Sequence, residues 1–319
     1  MQLIYNDISL KHDTGAHHPE CAERLAAFRE IPQTDLPDVE HLLTLVHTEK
    51  HIARVKQAAQ NKEQIDGDTI ASVESFAAAK AGVSAAVLAS ATQGFSLMRP
   101  PGHHAYAEAA TGFCFFNSIA VAAQKLAEEG KKVLIFDFDG HFGDGTSDIF
   151  YGSDKVLYWS LHQEGAFPFK GQTHEIGVGK GVGYNWNIPI PRSSGDDVFT
   201  DILQTFIPLA KQFAPDVVGI SAGFDAHRND PLLQLGFSIN GYYEAGKTLA
   251  REFSDIFAVL EGGYNLEFLP HCIRAFHAGI EGRDLALKMP KTTSEPEIIE
   301  AYEMNKQSLL QHLSPHFTV

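Results

Sequence analysis

Cysteine is scarce: Cys21, Cys114 and Cys272 are the three in 319 residues, widely separated and without a Cys-x-x-Cys pair. That spacing excludes a disulfide framework and a thiolate zinc site. The three read as reduced, partly buried small side chains. Clustered Lys and Arg are also absent, and the formal charge is -15. Phosphate backbones need a concentrated basic surface, so no nucleic-acid partner is expected. The acidic balance serves solubility and is compatible with a cationic substrate. No window offers the roughly 18 apolar residues of a membrane span, and residues 1–7 carry neither a basic n-region nor a long apolar h-region. The expectations are no membrane partner and a cytoplasmic address.

Linker-like composition shifts, repeats and low-complexity segments are missing too, which predicts one domain over residues 1–319 with 290–319 as a C-terminal loop and helix extension. Within it, apolar runs at 2–5, 42–46, 95–98, 133–136, 156–161, 217–220 and 256–260 predict strands. Helical patterns cover 73–90, 118–129 (closed by Gly130), 196–213, 241–253 and 297–313. Alternation of this kind predicts an α/β fold, a mostly parallel central sheet with helices on both faces. The last helix is expected to pack back on the domain, and an oligomer contact is the other role open to it.

Four of the predicted strands run directly into unusual residues. Met98 is followed by Arg99-Pro100-Pro101-Gly102-His103-His104, Phe136 by Asp137-Phe138-Asp139-Gly140-His141, Ile220 by Ser221-Ala222-Gly223-Phe224-Asp225, and Leu260 by Glu261-Gly262-Gly263-Tyr264. Ligands of parallel α/β sheets sit outside the carboxyl ends of the strands. In a strand successive side chains alternate faces, so Asp137, Asp139 and His141 are expected to project to one side at a spacing of about 7 Å. Asp139, His141 and Asp225 would give one cation two carboxylates and an imidazole, with positions left open for water and a substrate oxygen. Such a set suits zinc or iron(II) equally, since ligand type alone does not rank divalent metals. His103 and His104 follow a rigid turn and suit proton transfer near neutral pH. Asp137 and Asp144 are available to hold their tautomers. The Tyr264 phenol, after two glycines that permit close approach, could donate to a developing oxyanion.

Taken together, these segments with Gly112-Phe113-Cys114-Phe115-Phe116-Asn117, Gly143-Asp144-Gly145-Thr146, Ser160-Leu161-His162 and Asp230-Pro231 resemble the histone deacetylase superfamily in order and spacing, from about His18-Pro19-Glu20 to about residue 280. Ala226 after Asp225, and Leu232-Leu233 after Pro231, look nearer its class II and bacterial branch. The resemblance implies an arginase/deacetylase-like catalytic domain hydrolysing the amide of an acetyl-lysine or other short acyl-lysine, on a protein or peptide, or of an acylated small amine such as an acetylpolyamine. It implies Asp139, His141 and Asp225 as zinc ligands, His104 as general base and acid, and His103 as its electrostatic neighbour. Asp144 and Asp137 are implied as their carboxylate partners, and Tyr264 as the oxyanion tyrosine. Phe113 and Phe167 would wall the acyl-lysine tunnel, with Leu232 at its rim and Gly112 and Gly263 lining the substrate. Structural potassium is implied at Asp137, Asp139, His141, Ser160 and Leu161, and at a second site formed by Phe150, Ser153, Val156 and Tyr184. One departure stands out: Phe142 replaces the second histidine of the family's usual His-His-Gly.

Rival functions leave weaker marks. A ureohydrolase needs paired aspartates at the second strand end, where Gly223-Phe224-Asp225 supplies one. Gly177-Val178-Gly179-Lys180-Gly181 lacks the Ser or Thr and the strand-loop-helix setting of a phosphate-binding loop. A catalytically silent, binding-only member is opposed by the intact His103, His104, Asp139, His141, Asp225 and Tyr264. No long insertion of the kind that restricts the entrance of polyamine enzymes is present, which favours acyl-lysine peptides.

Overall fold

The computed structural model describes residues 1–319. In chain order its regular elements are β1 (Leu3–Ile4), α1 (Glu49–Asn61), α2 (Ser75–Thr92), β2 (Phe95–Ser96), α3 (Ser118–Glu128), β3 (Val133–Asp137), α4 (Asp144–Phe150), β4 (Val156–Gln163), β5 (Asn185–Ile190), α5 (Asp196–Gln212), β6 (Val217–Ala222), α6 (Ile239–Glu252), β7 (Ile256–Leu260), α7 (Leu269–Ile280) and α8 (Pro296–Leu313). The strands form one sheet in the order β1-β2-β7-β6-β3-β4-β5, every pair parallel.

Strand alternation divides the core between the two faces. Along β3, Leu134 and Phe136 join a cluster built from α5, α6, α7 and α8 through residues such as Phe206, Tyr242, Phe276 and Leu309. Val133 and Ile135 join the opposite cluster, built from α1, α2, α3 and α4 through Val55, Val83, Ile119 and Phe150. A parallel sheet covered on both faces needs strands apolar throughout, and β3, β6 and β7 are buried at every residue.

Local chemistry sets the helix ends. Thr48 caps α1 by accepting from His51 N, and Asn117 caps α3 by accepting from Ala120 N. Beyond α3, Gly130 adopts φ +86°, the left-handed turn that stops a helix at low steric cost.

Several expectations are corrected. Residues 42–46 form no strand; Glu40–Leu45 is a 3-10 helix in which Leu43 is buried. A short apolar run fits either geometry, and here Leu42 and Val46 pack at the margin of the α1–α4 core instead of joining a sheet edge. Strand β5, with Asn185, Asn187 and Pro189, was not expected. It is the sheet edge, where a proline without N–H is tolerated. Helices α1, α4 and α7 were not anticipated either. The expectation that no segment is long and apolar enough to cross a membrane also fails: Ser75–Thr92 passes by length and composition. That helix is α2, an alanine-rich core helix whose Val83, Ala85, Ala86 and Ala89 are buried against the sheet and α3.

The C-terminal helix packs back as expected. Tyr302, Leu309 and Leu313 of α8 are buried in the α5–α8 core, Asn305 Nδ2 donates to Pro189 O at 2.9 Å, and Lys306 Nζ donates to Asp201 at 2.7 Å. The edge strand is thereby covered. Leu309→Ala should lower unfolding stability by about 2 kcal/mol, the low end for a buried leucine at a chain end; an unchanged urea midpoint would mean that α8 is dispensable packing.

Candidate active site

The chain reverses direction across the sheet between β3 and β6. From β3 the order runs outward to β4 and β5, and β6 then returns to the other side of β3. A crevice opens at such a switch point, beyond the carboxyl ends of the strands. Four adjacent strands, β2, β7, β6 and β3, deliver their following loops there.

The first of these loops corrects a geometric expectation. Strand β3 stops at Asp137, so Asp139 and His141 stand in the loop and are not aligned by strand alternation. Backbone amides aim them instead. Asp139 N donates to Asp137 Oδ1 at 3.1 Å and His141 N to Asp139 Oδ1 at 2.8 Å. Gly262 N holds Asp139 Oδ2 and Gly140 N holds Asp225 Oδ1, each at 2.7 Å. The close approach requires glycine: a Cβ at Gly223 would lie 1.9 Å from Asp139 Oδ2.

The result is a cluster in which donor atoms of Asp139, His141 and Asp225 all lie within 4.8 Å of one another. His141 Nδ1 is 2.9 Å from Asp225 Oδ2 and 3.4 Å from Asp139 Oδ1, and both carboxylates are fully buried. Burial, then the charge of Asp139, pushes Asp225 up to about 6. Burial alone would lower His141, but Asp225 and Asp139 raise it to about 10. Two buried carboxylates thus draw a proton onto the imidazole for want of positive charge, which is the electrostatic signature of a cation site. The residues fit a divalent metal.

Beside the cluster stand two imidazole–carboxylate pairs. His103 Nδ1 lies 3.1 Å from Asp137 Oδ2, which also accepts from Tyr158 OH at 2.9 Å. His104 Nδ1 lies 2.8 Å from Asp144 Oδ1, so its Nε2 is the free ring nitrogen. Burial and then the charge of His103 lower His104 to about 4, against the pull of Asp144; it is neutral at physiological pH and able to accept a proton. Gly112, at φ +56°, passes so close that a Cβ would meet His104 Cδ2 at 2.7 Å.

A cavity of about 400 Å³ reaches these groups, lined by His104, His141, Tyr264, Gly112, Phe113, Phe167 and Leu232 among others. Phe167 packs edge-on to His104 with ring centroids 5.0 Å apart, and Phe113 edge-on to Tyr264 at 5.7 Å. Leu232 is 40% exposed and stands at the mouth. Burial raises the Tyr264 phenol well above its usual range, keeping it a hydrogen-bond donor. Gly263 is not among the lining residues; its carbonyl accepts from Arg24 Nε at 2.7 Å.

Asp137 and Ser160 are register partners on β3 and β4, with Leu161 next on β4. Around the other residue set, Ser153 N donates to Phe150 O at 2.9 Å, Val156 N donates to Ser153 Oγ at 3.3 Å, and Tyr184 O accepts from Tyr158 N at 2.9 Å. Phe142 is buried between Tyr158 and His162, its ring 4.8 Å from the His162 imidazole.

Glu20, Arg99, Glu261 and Asp230 stand in the quoted motifs without an assigned role, and Arg24 lies outside them. Arg99 and Arg24 both grip the buried Glu20. Arg24 also donates to Glu261 O at 2.5 Å and lies 4.9 Å above the Tyr264 ring, so it fixes the loop carrying that tyrosine. Glu261, raised by burial to about 7, accepts from Gly102 N and His103 N at 2.7 and 3.1 Å. Asp230 accepts from Tyr264 N at 2.7 Å and Leu232 N at 3.0 Å, tying the cavity mouth to its floor. Their signal was ionisable residues embedded in apolar or turn-rich motifs, which buries charge and demands partners.

A parallel α/β sheet that brings a buried carboxylate–imidazole donor cluster beside paired imidazole–carboxylate groups has the arrangement of a hydrolase site. Comparison narrows this: the histone deacetylase domain matches residues 18–280. A probable deacetylase from Archaeoglobus fulgidus is 33% identical over 93% of this chain and 90% of its own length. Plant relatives are longer, and the chain spans 46% of Histone deacetylase 5 from Arabidopsis thaliana, to which it is 37% identical. Among solved structures, the HD domain of HDA15 aligns over 99% of this chain and 96% of its own with a TM-score of 0.87 at 30% identity. Acetylpolyamine aminohydrolase from Burkholderia pseudomallei aligns over 88% and 98% with a TM-score of 0.79 at 27% identity. The chain belongs to the histone deacetylase family, a family of hydrolytic deacetylases and amidohydrolases.

Proposed function

We propose that this protein hydrolyses the side-chain amide of acetyl-lysine, or of another short acyl-lysine, in peptides or proteins. The observation carrying this is the aromatic-walled cavity lined by His104, His141 and Tyr264, which suits a linear acylamine. Asp139, His141 and Asp225 would hold one divalent cation, zinc with iron(II) as the alternative. When bound, it supplies Lewis acidity that polarises the acyl carbonyl and acidifies water.

The chain's own groups do the rest. His104, its tautomer set by Asp144, takes the proton of the attacking water at Nε2 and returns it to the leaving amine. Tyr264 donates a hydrogen bond to the oxyanion. His103, held by Asp137, sets the charge beside His104. Phe113 and Phe167 exclude water from the acyl-lysine stem, with Gly112 giving the backbone close approach and Leu232 touching the substrate at the rim. The products are a free amine and a short carboxylate. Potassium at Asp137, Asp139, His141, Ser160 and Leu161 would brace the strand ends beneath the cluster, and potassium at Phe150, Ser153, Val156 and Tyr184 would sit at the amino ends of β4 and β5. Three free cysteines support a reducing, cytoplasmic setting.

A second reading, an acetylpolyamine amidohydrolase, is favoured by the similarity to the Burkholderia enzyme and by Asp68 in the cavity lining, where it could meet a cationic tail. Rates on acetyl-lysine peptides, acetylputrescine and longer acyl-lysines, with and without chelator, test both. We expect a kcat/KM on acetyl-lysine peptide about tenfold or more above that on acetylputrescine, abolished by chelation. The reverse order would establish the second reading, and no turnover of any acylamine would sink both.

A further inference from the structure

The hydrogen-bond chain behind His104 does not stop at its aspartate. Asp144 Oδ1 meets His104 Nδ1 at 2.8 Å, and Asp144 Oδ2 accepts from Tyr106 OH at 2.5 Å. That hydroxyl in turn accepts from Lys170 Nζ at 2.7 Å. The ammonium lies 3.9 Å from Asp144 Oδ2 and 5.2 Å from the centre of the Tyr106 ring. Three separate segments converge here: the turn after β2, the first residue of α4, and the loop after β4. The Asp144 side chain is 5% exposed whereas that of Lys170 is 56% exposed, so the chain runs from the buried imidazole to solvent. A cleft of about 120 Å³ opens on it, lined by Tyr106, Asp144, Asp148, Lys170 and Glu175 among others. It shares no lining residue with the 400 Å³ cavity, so this is a second approach to the pair.

We propose that Tyr106 and Lys170 are positioning residues for the His104–Asp144 pair, and that Lys170 makes the pair sensitive to the hydrogen-bond donor carried at position 170. A carboxylate bonded through one oxygen alone can rotate about its last side-chain torsion. A phenol on the other oxygen fixes its plane, and with it the direction and tautomer of the imidazole. Tyr106 does this directly. Lys170 acts through Tyr106, orienting the hydroxyl so that its proton points at Asp144, and offsets part of the buried negative charge. Burial and then the bond to Asp144 raise the Tyr106 phenol, so it remains the donor. The lysine's own ion pair is largely solvated and contributes little by itself, which makes its hydrogen bond the main effect.

The inference rests on His104 acting as the proton-transfer group, and two readouts separate its failure from a failure of that reading. In steady-state kinetics on the best acylamine of the panel, Tyr106→Phe should lower kcat about tenfold and Lys170→Met about threefold, with KM within about twofold. Lys170→Arg should restore most of the loss, and the double variant Tyr106→Phe with Lys170→Met should be no slower than Tyr106→Phe, because the two act in series. The loop of Lys170 also carries Phe167, so a change in KM alone would mean a disturbed cavity wall and overturn the proposal. Independently of turnover, the Nδ1–H proton resonance of His104 in the metal-loaded protein should shift in Tyr106→Phe and, less, in Lys170→Met. A resonance and a kcat both unmoved in Lys170→Met, a surface substitution that leaves the fold intact, and in Tyr106→Phe would refute it. A wild type inactive on every acylamine, yet with a His104 resonance sensitive to Tyr106, would sink the functional reading and leave the positioning role standing.

Discussion

Asp225→Asn should leave a folded protein that retains no divalent cation after dialysis and has lost activity by about a thousandfold or more, since a cation's stabilisation of transition-state charge is several kcal/mol. The substitution is nearly isosteric. Its amide oxygen can keep the 2.7 Å bond from Gly140 N that positions the side chain, so the loop has no reason to rearrange. What disappears is one of two buried negative charges, leaving Asp139 and a neutral imidazole as the remaining donors. Hard and borderline divalent ions lose most of their affinity when an anionic ligand is removed from a three-donor site. Metal content by mass spectrometry and kcat should fall together. A variant retaining about one tightly bound ion per chain would remove Asp225 from the ligand set.

Tyr264→Phe should separate catalysis from binding. The ring's packing is independent of its hydroxyl: Phe113 lies edge-on at 5.7 Å, the Arg24 guanidinium covers the face at 4.9 Å, and the backbone is held by Asp230 through Tyr264 N. Phenylalanine keeps all three. It loses one donor aimed into the cavity, and loss of a single oxyanion donor costs about 10²–10³ in kcat. The expected result is that fall with cation content unchanged and KM little altered. Wild-type turnover would remove Tyr264 from the chemistry and leave it as a wall of the cavity.

How much of this was legible beforehand differs between elements. Strands β3, β6 and β7 were readable because a sheet buried on both faces demands continuous apolar runs, and Val133 to Phe136 is such a run. Strand β5 was not: Asn185, Asn187 and Pro189 carry strand geometry only because the edge position tolerates a missing donor and α8 covers it. Residues 42–46 carried the composition of a strand, but they lie in and beside a 3-10 helix that buries Leu43 in the core of α1–α4. Of the site, the donor types, the loops carrying them and the supporting Asp137 and Asp144 were evident, whereas the more distant supports were not. Arg24 bonds Gly263 O across 239 residues and Arg99 bonds Glu20 across 79, separations over which no local pattern speaks.

By itself the sequence determined the chemical inventory of this protein: carboxylates, imidazoles and a phenol placed directly after apolar runs, which are properties of side chains and of local periodicity. Only the tertiary structure decided which of them meet. Asp225 reaches His141 across 84 residues at 2.9 Å, and Asp144 stands between His104 and Tyr106, because the crossover order of a parallel sheet, and no pattern along the chain, sets which strand ends become neighbours.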